Sequence, residues 1–243
     1  FGAVLIPGLS LQNTTVSSTE SYACGEHIRP GFRQRSSKQE PNSNLPCTDL
    51  HRFWRADVDP AHVQRQLSRW VRSGRIRQLR RGLYMLAPPY QTVKPHPFLL
   101  ANALMPGSYV SMQSALAFYG LIPEYTPRIL SMTLLRPSHW EGGFHFQHLA
   151  PHFFFGYQLV ELSLGQQAFL ATPEKALLDL VHLTPKSDSS DYLDQLRLQN
   201  LDRLNLMRLQ EYSKRAGKPK WRRVADLIET LAQQEKEEFE ELP

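Results

Sequence analysis

Residues 59–86, DPAHVQRQLSRWVRSGRIRQLRRGLYML, limit the possible folds more than any other stretch, because they spell a helix with both ends marked and then a tight hairpin. Asp59 can cap free amide groups and Pro60 suits a first helical turn, while Gly74 can close the far end. Val63, Leu67, Trp70 and Val71 recur at i, i+4, i+7 and i+8, which makes one apolar stripe for burial. His62, Arg65, Arg69 and Arg72 then fall together on another face. After the glycine, Ile76 and Leu79 precede an Arg-Arg-Gly turn and Leu83 to Leu86 form a second apolar run, the pattern of two strands bending at Gly82.

The same stretch is strongly one-signed. No acid occurs between Asp59 and Glu124, and the first part of that interval holds Arg65, Arg69, Arg72, Arg75, Arg77, Arg80 and Arg81. A run of charge is ordinarily a solvated face, but one sign on one helix face beside a basic hairpin points instead to a polyanion. Upstream, TDLHRFWRADV offers Thr48 as a helix cap, Leu50, Phe53 and Trp54 as buried contacts, and Ala56 to Val58 as a connecting turn. Helix, turn, arginine-faced helix, hairpin is the order of a winged helix-turn-helix, whose second helix enters the major groove of DNA while the hairpin lies along the phosphates. His62, Arg65, Gln66, Ser68, Arg69 and Arg72 are expected to face the groove. Arg75, Arg77, Arg80 and Arg81 are expected to hold phosphates from the wing, since the planar guanidinium suits both tasks. One winged helix has a small footprint, so paired or repeated half-sites in double-stranded DNA are the expected partner.

The charge balance agrees with that placement. Residues 1–100 hold 14 Lys+Arg against 6 Asp+Glu, a balance of +8, whereas residues 101–243 hold 14 against 17, a balance of −3. Cys24 and Cys47 are the only cysteines, too few for a disulfide framework or a four-cysteine zinc site, and a reducing cytoplasm is the expected location. No apolar run approaches the roughly 20 residues that span a bilayer. The opening FGAVLIPGLSL is short, interrupted by Pro7 and Gly8 and without preceding basic residues, so it is not expected to be a signal peptide.

Four regions are expected. Residues 1–45, rich in Ser, Thr, Asn, Gln, Pro and Gly, read as a disordered or loosely attached leader. Residues 46–87 make the winged helix-turn-helix domain, and 88–97, PPYQTVKPHP, a stiff linker. Residues 98–243 make a second domain of mixed α and β structure that ends in helices, so the fold class is α+β. Within it FLLANALMPGSYVSMQSALAFYGLIPE reads as two helices, the second capped by Ser111 and ended by Gly120. RILSMTLLR, GFHFQH, FFFGYQLVEL and QQAFLA read as strands, and TPEKALLDLVHL as a helix with Thr172 as cap and Glu174 complementing the dipole. Further helices are expected at residues 192–198, 204–216 and 221–240, with QEKEEFEEL as a solvated tail.

Catalytic readings of the second domain are weak. Glu174, Asp179, Asp188, Asp191 and Asp194 could be thought to hold a divalent metal for nuclease chemistry, but the first has a helix-start role and the last three lie in a polar loop and cap. His139, His145, His148 and His152 invite zinc, yet on a strand over 144–148 His145 and His148 point to opposite faces. Ser111 and Ser114 lack an identifiable base, no glycine-rich phosphate loop is present, and Phe153 to Phe155 reads as core rather than a base-stacking platform, having almost no basic residues adjacent in sequence. No catalytic residue, metal or cofactor is expected. The alternative to a DNA reader is a non-catalytic RNA- or protein-binding adaptor.

With that order in view, SRWVRSGRIRQLRRGLYML, YVSMQSALAFYGLIPE and LATPEKALLDLVHL follow one another as in the AbiEi antitoxins of bacterial type IV toxin-antitoxin systems, and the chain resembles that family over roughly residues 46–215. The resemblance implies an N-terminal winged helix that represses its own operon. It also implies a C-terminal domain that counteracts a nucleotidyltransferase-like toxin without a stable complex. The family's regular helix ahead of the helix-turn-helix has no clear counterpart in residues 20–45.

Overall fold

The computed structural model describes residues 59–123 and 127–240. The leader expected at 1–45 and the helix expected to begin at Thr48 lie outside the described residues. The chain divides between Val93 and Lys94 into two compact units, and the described residues form an α+β protein.

In the first unit, helix α1 spans Pro60–Arg72 and a hairpin follows from β1, Ile76–Arg80, and β2, Leu83–Leu86. The end signals behave as the residue types dictate. The Asp59 side chain accepts from the Ala61 amide at 2.9 Å, and Pro60 occupies the first turn, where a missing N–H costs nothing. Gly74 and Gly82 take φ values of +68° and +83°, which L side chains adopt only with strain. The strands pair antiparallel, with Ile76 opposite Leu86 and Gln78 opposite Tyr84, and an irregularity at Leu79 lets Arg80 face Leu83. Val63 and Leu67 from α1 pack with Ile76 and Tyr84 from the hairpin, and Trp70, Val71 and Leu86 lie against them. The apolar stripe of the sequence is therefore the buried face.

The second unit is built on a mixed six-stranded sheet in the order β5-β6-β4-β3-β8-β7. Its strands are β3 (Tyr109–Val110), β4 (Ile129–Thr133), β5 (Ser138–Trp140), β6 (Phe144–His148), β7 (Tyr157–Glu161) and β8 (Gln167–Ala171). β4 and β6 run parallel, as do β3 and β8; the β3–β4, β5–β6 and β7–β8 pairs are antiparallel. Helix α2, Pro97–Leu104, packs on β8, β3 and β4, so Pro97 opens a helix rather than closing the linker. Helices α3 (Met112–Phe118), α4 (Pro173–Leu183), α5 (Ser190–Gln195), α6 (Leu206–Ala216) and α7 (Pro219–Glu240) complete the unit. The main core joins Tyr109, Met132 and Ala171 of the sheet to Leu116, Leu177, Leu180, Trp221 and Val224 of the helices.

Two expectations need correction here. Ser111 stands at the cap position of α3 but makes no side-chain cap bond; its hydroxyl donates to Asp179 at 2.8 Å instead. The charge-assisted bond to a buried carboxylate directs the hydroxyl into the core. The acidic end of α7 is also not wholly solvated, because Glu235 accepts from the Leu201 amide at 3.0 Å.

Candidate nucleic-acid interface

With Val63, Leu67, Trp70 and Val71 turned to the core, the other side of α1 is fixed by helical geometry. At about 100° per residue, Arg65, Arg69 and Arg72 occupy an arc of about 60° opposite that stripe. All three are exposed, as is His62. Gln66 and Ser68 sit on the two flanks of the arc and are half-buried. Ser68 donates its hydroxyl to the Gln64 carbonyl at 2.8 Å, which leaves only its oxygen lone pairs for an outside donor. Among the described residues, Asp59 is the acid paired with the arc: its carboxylate lies 3.8 Å from Arg65, with both side chains largely exposed. A solvent-screened pair of that kind is weak and yields readily to a phosphate.

The hairpin carries the second group. Arg75, Arg77 and Arg81 are exposed and Arg80 is half-buried, its guanidinium reaching the Arg81 carbonyl at 3.4 Å. The Arg75 backbone joins the helix to the sheet: its amide donates to Trp70 and its carbonyl accepts from Ala87. The arginine side chains thus project from a fixed backbone at the helix–hairpin corner. Gly82, with nothing within 4 Å of where a Cβ would stand, leaves the hairpin tip open.

Most of the groups considered for catalysis in the second unit are otherwise engaged, and Asp191 and Asp194 are exposed on α5. Asp179 is fully buried and accepts from Tyr109 at 3.0 Å, from Ser111 and from the Lys175 ammonium; Lys175 in turn donates to the Tyr109 hydroxyl at 3.1 Å. Burial, and then Asp179, push the Tyr109 phenol upward, so it remains a donor, and burial draws Lys175 down against the pull of Asp179. Glu174 is buried, accepts from the Asn205 amide at 2.8 Å and so anchors the start of α6. Asp188 pairs with Arg223, which lowers its carboxyl below the usual range. His139 and His145 face each other across β5 and β6 with ring centres 4.4 Å apart, and His148 meets the Leu135 carbonyl. Among the described residues, no three His, Cys, Asp or Glu side chains are grouped to hold a metal. Among them, too, no helix is long and apolar enough to cross a membrane.

Phe153 and Phe155 are buried in the core. Basic residues do adjoin them, but in space rather than in sequence: Arg215 lies 4.1 Å over the Phe155 ring and Lys218 5.4 Å over Phe153. These cations belong to a cluster at the α6–α7 turn that a charge sum over the whole C-terminal half conceals, because acids along α7 offset it.

A capped amphipathic helix with an arginine outer face, continued by a basic hairpin, presents a surface of one sign of charge. The family comparison gives that arrangement its type: residues 53–87 match the AbiEi antitoxin transcriptional regulators. The match bears out the resemblance read from the sequence over the helix and hairpin that carry the arginines. No curated protein matches the chain.

Proposed function

We propose that the chain is a DNA-binding transcriptional repressor and antitoxin of the AbiEi type, in which residues 46–87 form a winged helix-turn-helix that reads an operator. The observation that carries this reading is the outward arc of Arg65, Arg69 and Arg72 on a helix whose opposite face is locked to a hairpin, within a segment matched by an antitoxin regulator family. In this reading the α1 arc, flanked by His62, Gln66 and Ser68, enters the major groove. Arg75, Arg77, Arg80 and Arg81 clamp phosphates. Residues 98–243 carry the antitoxin role against a nucleotidyltransferase-like toxin, and the site of action is the cytoplasm.

A mobility-shift titration on the DNA upstream of the chain's own reading frame, beside unrelated DNA of equal length, tests the proposal. With about five phosphates neutralised, log K falls against log salt with a slope of roughly −4 to −5. The expected result is salt-sensitive preference for the upstream DNA, abolished in the Arg65→Ala, Arg69→Ala, Arg72→Ala variant. Equal weak binding to both DNAs, or a slope near zero, defeats the operator reading. Stronger competition by duplex RNA points to the adaptor instead, because the A-form major groove is too deep and narrow for a helix to read.

A further inference from the structure

The six-stranded sheet of the second unit ends in two edge strands that differ in how they meet an outside chain. β5 has three residues, is entered from Arg136 and Pro137 and leads into Glu141. Shortness, charge and proline are the features that keep an edge from pairing with a foreign strand. β7, at the opposite edge, has none of them along most of its length. Its five residues, Tyr157–Glu161, include no proline, lysine or arginine, and its ladder with β8 runs without a bulge. Tyr157 and Leu159 are 40% and 42% exposed, and Glu161, the only charge on the strand, stands at its end.

The hydrogen bonds fix which groups of β7 face outward. The Thr172 amide donates to the Gly156 carbonyl, and the Leu162 amide to the Gln166 carbonyl, so Gly156/Thr172 and Leu162/Gln166 are bonded pairs of the ladder. Bonded and non-bonded pairs alternate along an antiparallel ladder. In the register of Gln158 with Leu170 and Val160 with Ala168, those two β7 residues therefore bond to β8. The main-chain N–H and C=O groups of Tyr157, Leu159 and Glu161 point away from the sheet. The strand that presents them is held firmly, since the Tyr157 ring lies flat on the buried Tyr109 ring, with centres 4.6 Å apart and planes 9° from parallel.

The strand is complementary to itself. Turned end for end about Leu159, a second β7 sets Tyr157 opposite Glu161 and Leu159 opposite Leu159, and this is the two-fold register that uses the whole strand. In it every outward-pointing residue meets another, as a bonded pair requires. Each Glu161 faces a tyrosine and lies four positions from the other Glu161, so no like charges stand opposite each other. The exposed Leu159 side chains cover one another at the centre. The same register brings the 163–165 turn of each copy, where Leu164 is 72% exposed, alongside the half-buried Phe154 of the other. We propose that β7 pairs antiparallel with β7 of a second copy, joining two sheets into one across a closed two-fold interface. The inference uses the sheet alone and does not rest on the operator reading.

The test is sedimentation of the full chain between about 1 and 100 µM, where mass action shifts a monomer–dimer equilibrium. The parent is expected to pass from monomer to dimer across that range. Leu159→Lys and Leu159→Glu each set like charges opposite one another at the two-fold, and each is expected to raise the dimer Kd by about tenfold or more. An equimolar mixture of the two variants is expected to dimerise again, because lysine then faces glutamate; two misfolded proteins would not restore each other. Hydrogen exchange supplies a residue-level readout: the Tyr157, Leu159 and Glu161 amides should slow as concentration rises, while Gln158 and Val160 are protected throughout. A parent that stays monomeric overturns the inference, as does a dimer that survives both folded variants. Slow exchange at Tyr157, Leu159 and Glu161 in the dilute monomer also overturns it, by showing that the edge is covered within one copy. So does an added extended peptide that protects these amides in a parent that never dimerises, which identifies a foreign strand as the occupant.

Discussion

The two units bury their chains by different means. In the described part of the first, Val63, Leu67, Ile76 and Tyr84 form a small apolar cluster, and every arginine is exposed except the half-buried Arg80. In the second, a large helix–sheet core encloses a lysine, an aspartate, a tyrosine and a serine bonded to one another. The difference teaches where each unit is vulnerable. The described part of the first leaves its arginines at the surface and rests on a few apolar contacts, while the second has turned polar groups inward, where each must have its partner.

The largest break in that comparison is Asp179→Ala. It strips three buried donors, the Lys175 ammonium and the Tyr109 and Ser111 hydroxyls, of their acceptor, and it is expected to cost the second unit about 3–5 kcal/mol in urea unfolding. Lys175→Met should cost less, because the carboxylate keeps two hydroxyl donors; equal losses would mean that the ion pair within α4, not the hydroxyl bonds of Tyr109 and Ser111, supplies the stability. Next comes Leu67→Ala, which opens a cavity in the fully buried centre of the first unit's cluster at about 3 kcal/mol. Hydrogen exchange should then accelerate in residues 60–86 and stay unchanged in 173–183. Uniform acceleration across both segments would show that the units unfold together.

How much of this was legible in the sequence follows the same division. Helix α1 and its hairpin were readable to within a residue because their signals are local: a capping aspartate, a first-turn proline, a 3.6-residue stripe and two glycines where φ is positive. Helix α4 was readable for the same reason. Strand β3 was not, since Tyr109–Val110 is too short to show alternation and is a strand only through β4 and β8, far away in the chain. Ser111 looks like a helix cap by type, and only the fold reveals that its partner is Asp179, 68 positions on. The α1 arc follows from helical spacing alone, but the cationic cluster at the α6–α7 turn does not, because its residues alternate with core residues such as Trp221 and come together only where the two helix ends meet.

A smaller effect sharpens the comparison at two glycines. Gly82 and Gly143 share φ values near +80°, but a Cβ at Gly82 meets nothing, while at Gly143 it would stand 2.9 Å from the Pro127 carbonyl oxygen. Gly82→Ala should therefore cost about 1–2 kcal/mol of backbone strain, and Gly143→Ala should cost more because the clash is with main chain. Equal costs would show that the β4–β6 side of the sheet relaxes freely.

The smallest effect is a pH dependence carried by three histidines of the second unit. Burial holds His96 and His182 below the usual imidazole value of 6.5, Asp179 pulling His182 the other way and Lys218, Lys175 and Lys220 adding to the depression; burial, His139 and Arg128 do the same for His145. A group whose folded pKa is depressed binds protons more readily when unfolded, so stability rises with pH through the interval between the two values. For these histidines that interval ends near 6.5, and their contribution is fully present above it and lost as pH falls below it. Thermal melts taken from about pH 7.5 down to about pH 5.5 should show a plateau and then a decline, with His182→Gln flattening the decline more than His145→Gln, because His182 is the more deeply enclosed of the two. A melting temperature that rises on acidification would mean that these rings gain acidic partners on folding rather than lose water.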